Sequence, residues 1–384
     1  MERPSGVTPR KYDLRVTSSP DYSKPDPRHT GVASAGLIAA HTAIPFHEPG
    51  RIPPERGARE DAQHESMASG ATRAEGAGNR AIAEAPDRFR TCFERDLDRI
   101  KHSKPFRRLA GKCQVFIAPD NDHLRNRLTH AIEVAQVAVS IARPLGLNVA
   151  LTEAAALGHD CGHGPAGHAS EDALSPFVPG GYHHAVYGAD VVLEHLNLCN
   201  ETVDAIRNHS WNRPAPLTPE GEVVAWADRI AYVCHDFEDA VSAGIVGPDD
   251  LPRSVTEIVG KDRRTQLAGF ITGMIDASAA AGAIGCDETT ANALAAFRAF
   301  NYDRIYLRPD ARDQAANVID LLQQLTEWLI HHPAQIGDGM PPGTSVEDIT
   351  AGAVRYVSGM TDRFALNLAV EHLGWAPNKL PRGV

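Results

Sequence analysis

Cysteine pairs, an excess of positive charge and long apolar runs are all missing from this 384-residue chain. Its six cysteines, at 92, 113, 161, 199, 234 and 286, form no CxxC pair. That spacing argues against a disulfide framework and for reduced thiols in a cytoplasmic protein. Lys and Arg number 38 against 49 Asp and Glu, a net charge of −11, which argues against a nucleic-acid binder with a broadly basic surface. A local basic groove, and with it weak single-stranded nucleic-acid binding, is still compatible with that count. No apolar run approaches the ~20 residues that cross a bilayer, and the N-terminus has no signal-peptide core, so no membrane partner is expected. Strand-like alternation is scarce and no internal repeat is found, which leaves an all-α fold as the expectation. At 42% apolar and 23% charged, the chain can bury a proper core.

Residues 1–86 differ in character from the rest. They are rich in Pro, Gly, Arg, Glu and Ser, and no aromatic residue lies between Phe46 and Phe89. Such a segment offers little apolar surface to offset its ordering entropy, so the expectation is a partly disordered or arm-like extension. Its exception is the apolar patch at 31–46, expected to dock on the body or on a neighbouring subunit. From 87 to 384 the pattern is helical. In 127–147, Leu128, Ile132, Ala135, Val139 and Ala142 form one stripe, which ends at Pro144 and Gly146. Thr152 is the expected cap of the next helix, with His159 and Asp160 at its far end. Later helices are expected at 185–198, 201–209, 222–243, 289–301, 311–332 and 346–373.

The chemistry gathers between Arg127 and Glu171: RLTH at 127–130, then HDCGHGPAGHASE at 159–171. A core does not need imidazole and carboxylate groups side by side, because each desolvated polar group costs roughly 2–7 kcal/mol unless a partner compensates. A metal site does need them, since both are ligands for divalent cations. His168 and Glu171, three residues apart on a helix, can touch. Cys161 fits a small residue packed behind the site better than a nucleophile. A further ligand is expected from VVAWADRIAYVCHDFEDAV, where Asp228, Tyr232, His235 and Asp239 mark one polar edge of a helix. For His235 and Asp239 a solvated face is the simpler reading.

The order His130, His159–Asp160, Asp228 resembles the HD-domain metal-dependent phosphohydrolases. Within them, HDCGHGPAGHASE resembles the HDxGHxPxGHxxE signature of the deoxynucleoside triphosphate triphosphohydrolases, the dGTPase-like enzymes. RDLDRIKHSKPFRRLAGKCQVF at 95–116, ADRIAYVCHDFEDAVSAGI at 227–245 and FNYDRIYLRPDA at 300–311 are similar to other segments of that family. The likeness covers residues 87–335. It implies an HD-domain helical bundle with additional C-terminal helices, and His130, His159, Asp160 and Asp228 as metal ligands. It places His163 and His168 toward the phosphates with Glu171 supporting His168. It also implies substrate contacts from Arg127, His184, Arg229 and Tyr232, although Ala185 follows His184 where the family commonly has Asn. Arg107, Arg108, Lys104 and Lys112 would offset triphosphate charge.

Family members cleave a deoxynucleoside triphosphate between the α-phosphorus and O5′, releasing deoxynucleoside and intact triphosphate. The resemblance therefore implies a metal-dependent hydrolase of dNTPs, with dGTP the first expectation. Mn or Mg would be the activating metal, and Zn, Fe or Co would also suit the ligands. In such an enzyme His168, oriented by Glu171, would protonate the leaving alkoxide. A homo-oligomer, hexamer or tetramer, is implied as well. Two other readings compete: an HD-type phosphodiesterase or nucleotidase on another nucleotide, and a catalytically silent nucleotide- or single-strand-binding regulator.

Overall fold

The computed structural model describes residues 55–117 and 121–381, and the backbone of a short antiparallel hairpin, β1 (Val32–Ser34) with β2 (Leu37–Ala39). The hairpin belongs to a unit spanning Met1–Arg51, and the helical body spans Ile52–Val384. Apart from that hairpin, the expectations for the apolar patch at 31–46 and for an arm up to residue 54 lie outside the described residues. The body is all-α as expected: its described residues form fifteen α-helices joined by short 3-10 and π turns.

The expected boundary at residue 86 is corrected, because residues 55–86 belong to the body. After α1 (Arg56–Ser66), Ala71 and Ala74 are buried, and Thr72 donates from its backbone N–H and its hydroxyl to Glu220 at 3.0 and 2.7 Å. Arg80 is sunk beside α2 (Cys92–His102), paired with Asp96 at 2.6 Å with both side chains almost fully buried. It also donates to the carbonyls of Ala77, Cys92 and Asn197. Composition hides this, because ion pairing and hydrogen bonding fix the segment rather than apolar area.

The main core is built on α4 (Arg127–Ala142), α5 (Val149–Gly158) and α9 (Pro219–Ser242). Asn126 caps α4 in a reciprocal box with Thr129. The buried face of α4 carries His130, Ala131, Val134, Ala138 and Ile141, and Ile132 of the expected stripe is 52% exposed. The helix is apolar nearly all round and packs on both α5 and α9, so periodicity alone does not choose the inner face. Asn148 caps α5 in place of Thr152, whose hydroxyl donates back to the Asn148 carbonyl at 2.9 Å one turn in.

A second core joins Cys113, Leu174 and Tyr182 to α13 (Pro309–His331), α14 (Val346–Ser358) and α15 (Asp362–Leu373). The single helix expected at 346–373 is broken at 359–361, where Thr361 caps α15. The helix expected at 185–198 is likewise divided into α7 (His184–Tyr187), a π turn at Gly188–Val192 and a 3-10 turn at Glu194–Leu196. α8 (Asn200–Arg207) follows. The turn at 159–167 lies where the two cores meet: Cys161 packs in the first, and α6 (His168–Leu174) packs on α13 in the second.

Candidate functional site

Three elements bring four groups together. His130 sits in the first turn of α4, His159 and Asp160 follow the end of α5, and Asp228 comes from the middle of α9. His130 Nε2 lies 3.1 Å from Asp228 Oδ1 and 3.9 Å from Asp160 Oδ2. His159 Nε2 lies 3.3 Å from Asp160 Oδ1 and 3.6 Å from Asp228 Oδ1. The Nδ1–H of His159 donates to the Ala156 carbonyl at 2.6 Å, which assigns the tautomer and leaves a bare lone pair on Nε2. That Nε2 is buried with no hydrogen-bond partner and faces two carboxylates. Converging lone pairs of this kind fit a divalent cation and little else. Burial pushes the Asp160 carboxyl up, but His159, Arg127 and His163 outweigh it and hold it well below the usual carboxylate range. Asp228 is likewise held low, chiefly by its bond with His130. Both carboxyls are therefore anionic at neutral pH, as a divalent cation would require.

The glycine turn brings more histidines beside this set. Gly162 has no room for a side chain, since a Cβ would stand 2.0 Å from the His184 carbonyl and 2.5 Å from the Gly188 nitrogen. The close approach seats His184 next to the turn, its ring stacked on His163 at 3.7 Å between centroids. His163 Nε2 is 3.2 Å from Asp160 Oδ1. Glu171 accepts from His184 Nδ1 at 2.5 Å and from His168 Nδ1 at 3.3 Å. Those bonds outweigh the effect of burial and keep its carboxyl well below the ordinary range. The His168 side chain is 79% exposed, so its other nitrogen is open to solvent or a ligand. Gly164 is packed against Ser170, whose Oγ accepts from its N–H at 3.0 Å.

The remaining predicted contacts divide. Arg127 is in the site but buried, with NH1 donating to Asp160 at 2.6 Å and the guanidinium against Gly167, whose φ of +63° and tight space both call for glycine. Arg229 stacks on Trp211 at 3.4 Å, and the Tyr232 hydroxyl accepts from Arg298 at 2.9 Å. Arg107 is exposed and Arg108 faces a groove beside α14; neither is hydrogen-bonded to the clustered residues. Lys112, expected near the phosphates, is instead buried and donates to the carbonyls of His163 and Ser358. His235 and Asp239 are buried rather than solvated, and Asp239 pairs with Arg125.

Two features escaped the sequence reading. One is His209, buried just past α8, with Nδ1 2.7 Å from the Ile206 carbonyl and Nε2 3.2 Å from His184 Nε2. It continues the buried stripe of Thr202, Ala205 and Ile206, and that spacing was the available signal. The other is Asp236, one residue after His235 on α9, which accepts from the Tyr306 hydroxyl.

The comparisons with known proteins agree with this geometry. The HD domain model matches residues 127–233, and a phosphohydrolase-associated domain matches 284–371. A deoxyguanosinetriphosphate triphosphohydrolase-like protein of Caldanaerobacter subterraneus subsp. tengcongensis is 36% identical over 313 residues, which is 80% of this chain and 92% of that protein. The like-named protein of Clostridium perfringens strain 13 is 38% identical, over 74% of this chain and 87% of its own length. This chain belongs to the dGTPase-like family of HD-domain phosphohydrolases. Among solved structures, a hypothetical protein of Aquifex aeolicus is similar at 18% identity and a TM-score of 0.46, over 73% of this chain and 68% of that one. Family membership makes the chain a hydrolase of a domain family that binds divalent metals, and its His/Asp cluster has the donor set to hold one. No helix among the described residues is long and apolar enough to cross a membrane.

Proposed function

We propose that the protein hydrolyses deoxynucleoside triphosphates, dGTP foremost, to deoxynucleoside and inorganic triphosphate. The observation that carries this reading is the exposed His168–Glu171 pair placed beside the His130, His159, Asp160 and Asp228 cluster. A divalent cation held by those four residues, Mn or Mg in this reading, supplies Lewis-acid stabilisation of phosphoryl oxygens and a more acidic water. Asp160 and Asp228 stay anionic as ligands. Arg127 fixes the Asp160 carboxylate from behind, so in this reading it orients a ligand as much as it binds phosphate. Water attacks the α-phosphorus, the P–O5′ bond breaks, and the surplus proton of the water leaves to solvent from the new P–OH group. The His168 proton goes to O5′, while Glu171, held anionic, keeps the ring oriented. In this reading Arg229, next to Asp228 on α9, and Tyr232, one turn along, would contact the nucleoside.

Product analysis tests the reading. Purified protein is incubated with each of the four dNTPs and with GTP, with Mn or Mg, and products are separated by chromatography and mass spectrometry. Deoxynucleoside plus triphosphate is the expected result. Monophosphate plus pyrophosphate would move the attack and support an HD phosphodiesterase or nucleotidase instead. No turnover of any substrate would favour a silent binding module.

A further inference from the structure

Arg80, Arg125 and Arg127 are sunk in the protein, and each is paired with a carboxylate. Arg229 is held differently. It follows the clustered Asp228 on α9, and its Nε is buried with no hydrogen-bond partner. Among the described residues its guanidinium forms no ion pair and no hydrogen bond. What it rests on is the indole of Trp211, whose ring centroid lies 3.4 Å from the guanidinium carbon. At that separation the planar group lies on the ring face, so the stacking occupies none of its N–H donors.

The indole is itself fastened on both sides. Its Nε1–H donates to the Ala225 carbonyl at 3.0 Å, one turn before Arg229 on α9. Trp226 meets the ring edge to face at 4.7 Å and donates to Glu222 at 3.2 Å. Asn212, next in the chain, lies 3.2 Å from His183 Nε2, and His209, two residues earlier, lies 3.2 Å from His184. The loop carrying Trp211 is thus tied down beside the His/Asp cluster. Trp211 nevertheless stays 45% exposed, so burial of apolar area explains its anchoring only in part. A fixed guanidinium with a free fork of donors matches two oxygen or nitrogen acceptors side by side. A polyphosphate chain offers such a pair, and so does the edge of guanine.

We infer that Trp211 is a positioning residue for nucleotide binding: its indole holds the Arg229 guanidinium flat and leaves the N–H fork open to a pair of nucleotide acceptors. The inference rests on the nucleotide reading of the site for its ligand, and adds what fixes Arg229 in place.

Calorimetry on the Mn-loaded full chain tests it, with inorganic tripolyphosphate and deoxyguanosine titrated separately so that no turnover intervenes. Wild type, Trp211→Leu, Arg229→Gln and the double variant form a cycle. Trp211→Leu is expected to weaken one of the two ligands roughly 3–30-fold, the span of a stacked cation's contribution. Trp211→Phe, which keeps a flat ring, should recover most of that loss. In the Arg229→Gln background, Trp211→Leu should change nothing further. The ligand that responds tells whether the fork meets the phosphates or the base. Undiminished affinity for both ligands in Trp211→Leu would overturn the inference. So would an equal loss in the Arg229→Gln background, which would show a direct contact or a general loosening, and so would a wild-type chain that binds neither ligand. If Trp211→Leu does not fold, Trp211→Phe takes its place in the cycle, with a smaller loss that again vanishes beside Arg229→Gln. A chain that shows this coupling yet cleaves no dNTP would sink the proposed reaction and leave the role of Trp211 standing.

Discussion

His168 is among the few groups of the site whose removal costs the fold almost nothing, because its side chain is 79% exposed and its one bond is to Glu171 at 3.3 Å. If it protonates the leaving alkoxide, His168→Ala should keep its melting temperature and metal content while losing roughly 10²–10⁴-fold in turnover. Turnover within a few-fold of wild type would remove it as the acid. Asp236 is the opposite case. Burial pushes its carboxyl up to about 7, against the hydrogen bond from Tyr306 and with Asp239 adding repulsion. A carboxyl neutral in the folded chain but ionised when unfolded stabilises fully below the unfolded value near 4, and that contribution is lost as pH rises to about 7. Asp236→Asn keeps the neutral shape at every pH. Its stability relative to wild type should therefore climb between about pH 4 and 7 and then level off, by a total on the order of 2–4 kcal/mol. Thermal melts across that range measure it, and a pH-independent difference would show the carboxyl ionised throughout. At this scale the sequence was legible where chemistry-bearing residues sit close together in the chain, as His159, Asp160, His163, His168 and Glu171 do. His209 and Tyr306 stand alone among ordinary neighbours, and only the tertiary fold gives them partners.

Among the elements, the turn at 159–167 is held from outside rather than by its own bonds alone. Lys112, on the strand-like approach to α4, puts its ammonium against the carbonyl of His163 and, at 2.9 Å, the carbonyl of Ser358 at the end of α14. Asp362, just inside α15, accepts from the N–H groups of Cys113 and Ala166, both at 2.8 Å. Lys112, Ser358 and Asp362 thus tie the C-terminal helices to the turn at 159–167. Lys112→Met leaves two buried carbonyls without a donor, and each unmet group costs about 1–3 kcal/mol. The expected loss is roughly 2–4 kcal/mol in a denaturant or thermal melt, with weaker metal binding as the turn loosens. A wild-type melting temperature would mean that water replaces the ammonium. This clamp explains why helix existence was readable and helix limits were not. The apolar pattern over 346–373 is continuous, and what breaks it is Thr361, which caps a new helix so that Asp362 can reach the turn. The inner face of α4 was obscured for a related reason: it has neighbours on two sides, so both of its apolar stripes are served.

For the whole molecule, the consequence is where the working protein begins. The composition of residues 1–86 reads as an extension, yet residues 55–86 supply Arg80 to the buried Asp96 and Thr72 to the buried Glu220. Asp96 in turn accepts from the Cys199 N–H at 2.9 Å and the Thr202 hydroxyl at 2.7 Å at the start of α8, the helix that leads to His209. Glu220, at the start of α9, also accepts from the Asn148 N–H at 2.9 Å at the cap of α5. Both carboxylates therefore stand at the roots of helices that carry site residues. A chain cut to begin at Asp87 would leave Asp96 with no cation. Removing one partner of a buried ion pair costs roughly 3–5 kcal/mol, a large part of the 5–15 kcal/mol by which a domain is stable. The expected outcome is that a chain starting at Ile52 folds and binds metal, while one starting at Asp87 is insoluble or melts far lower. A chain from Asp87 with the melting temperature of the one from Ile52 would show that residues 52–86 are dispensable and that the boundary read from composition was right.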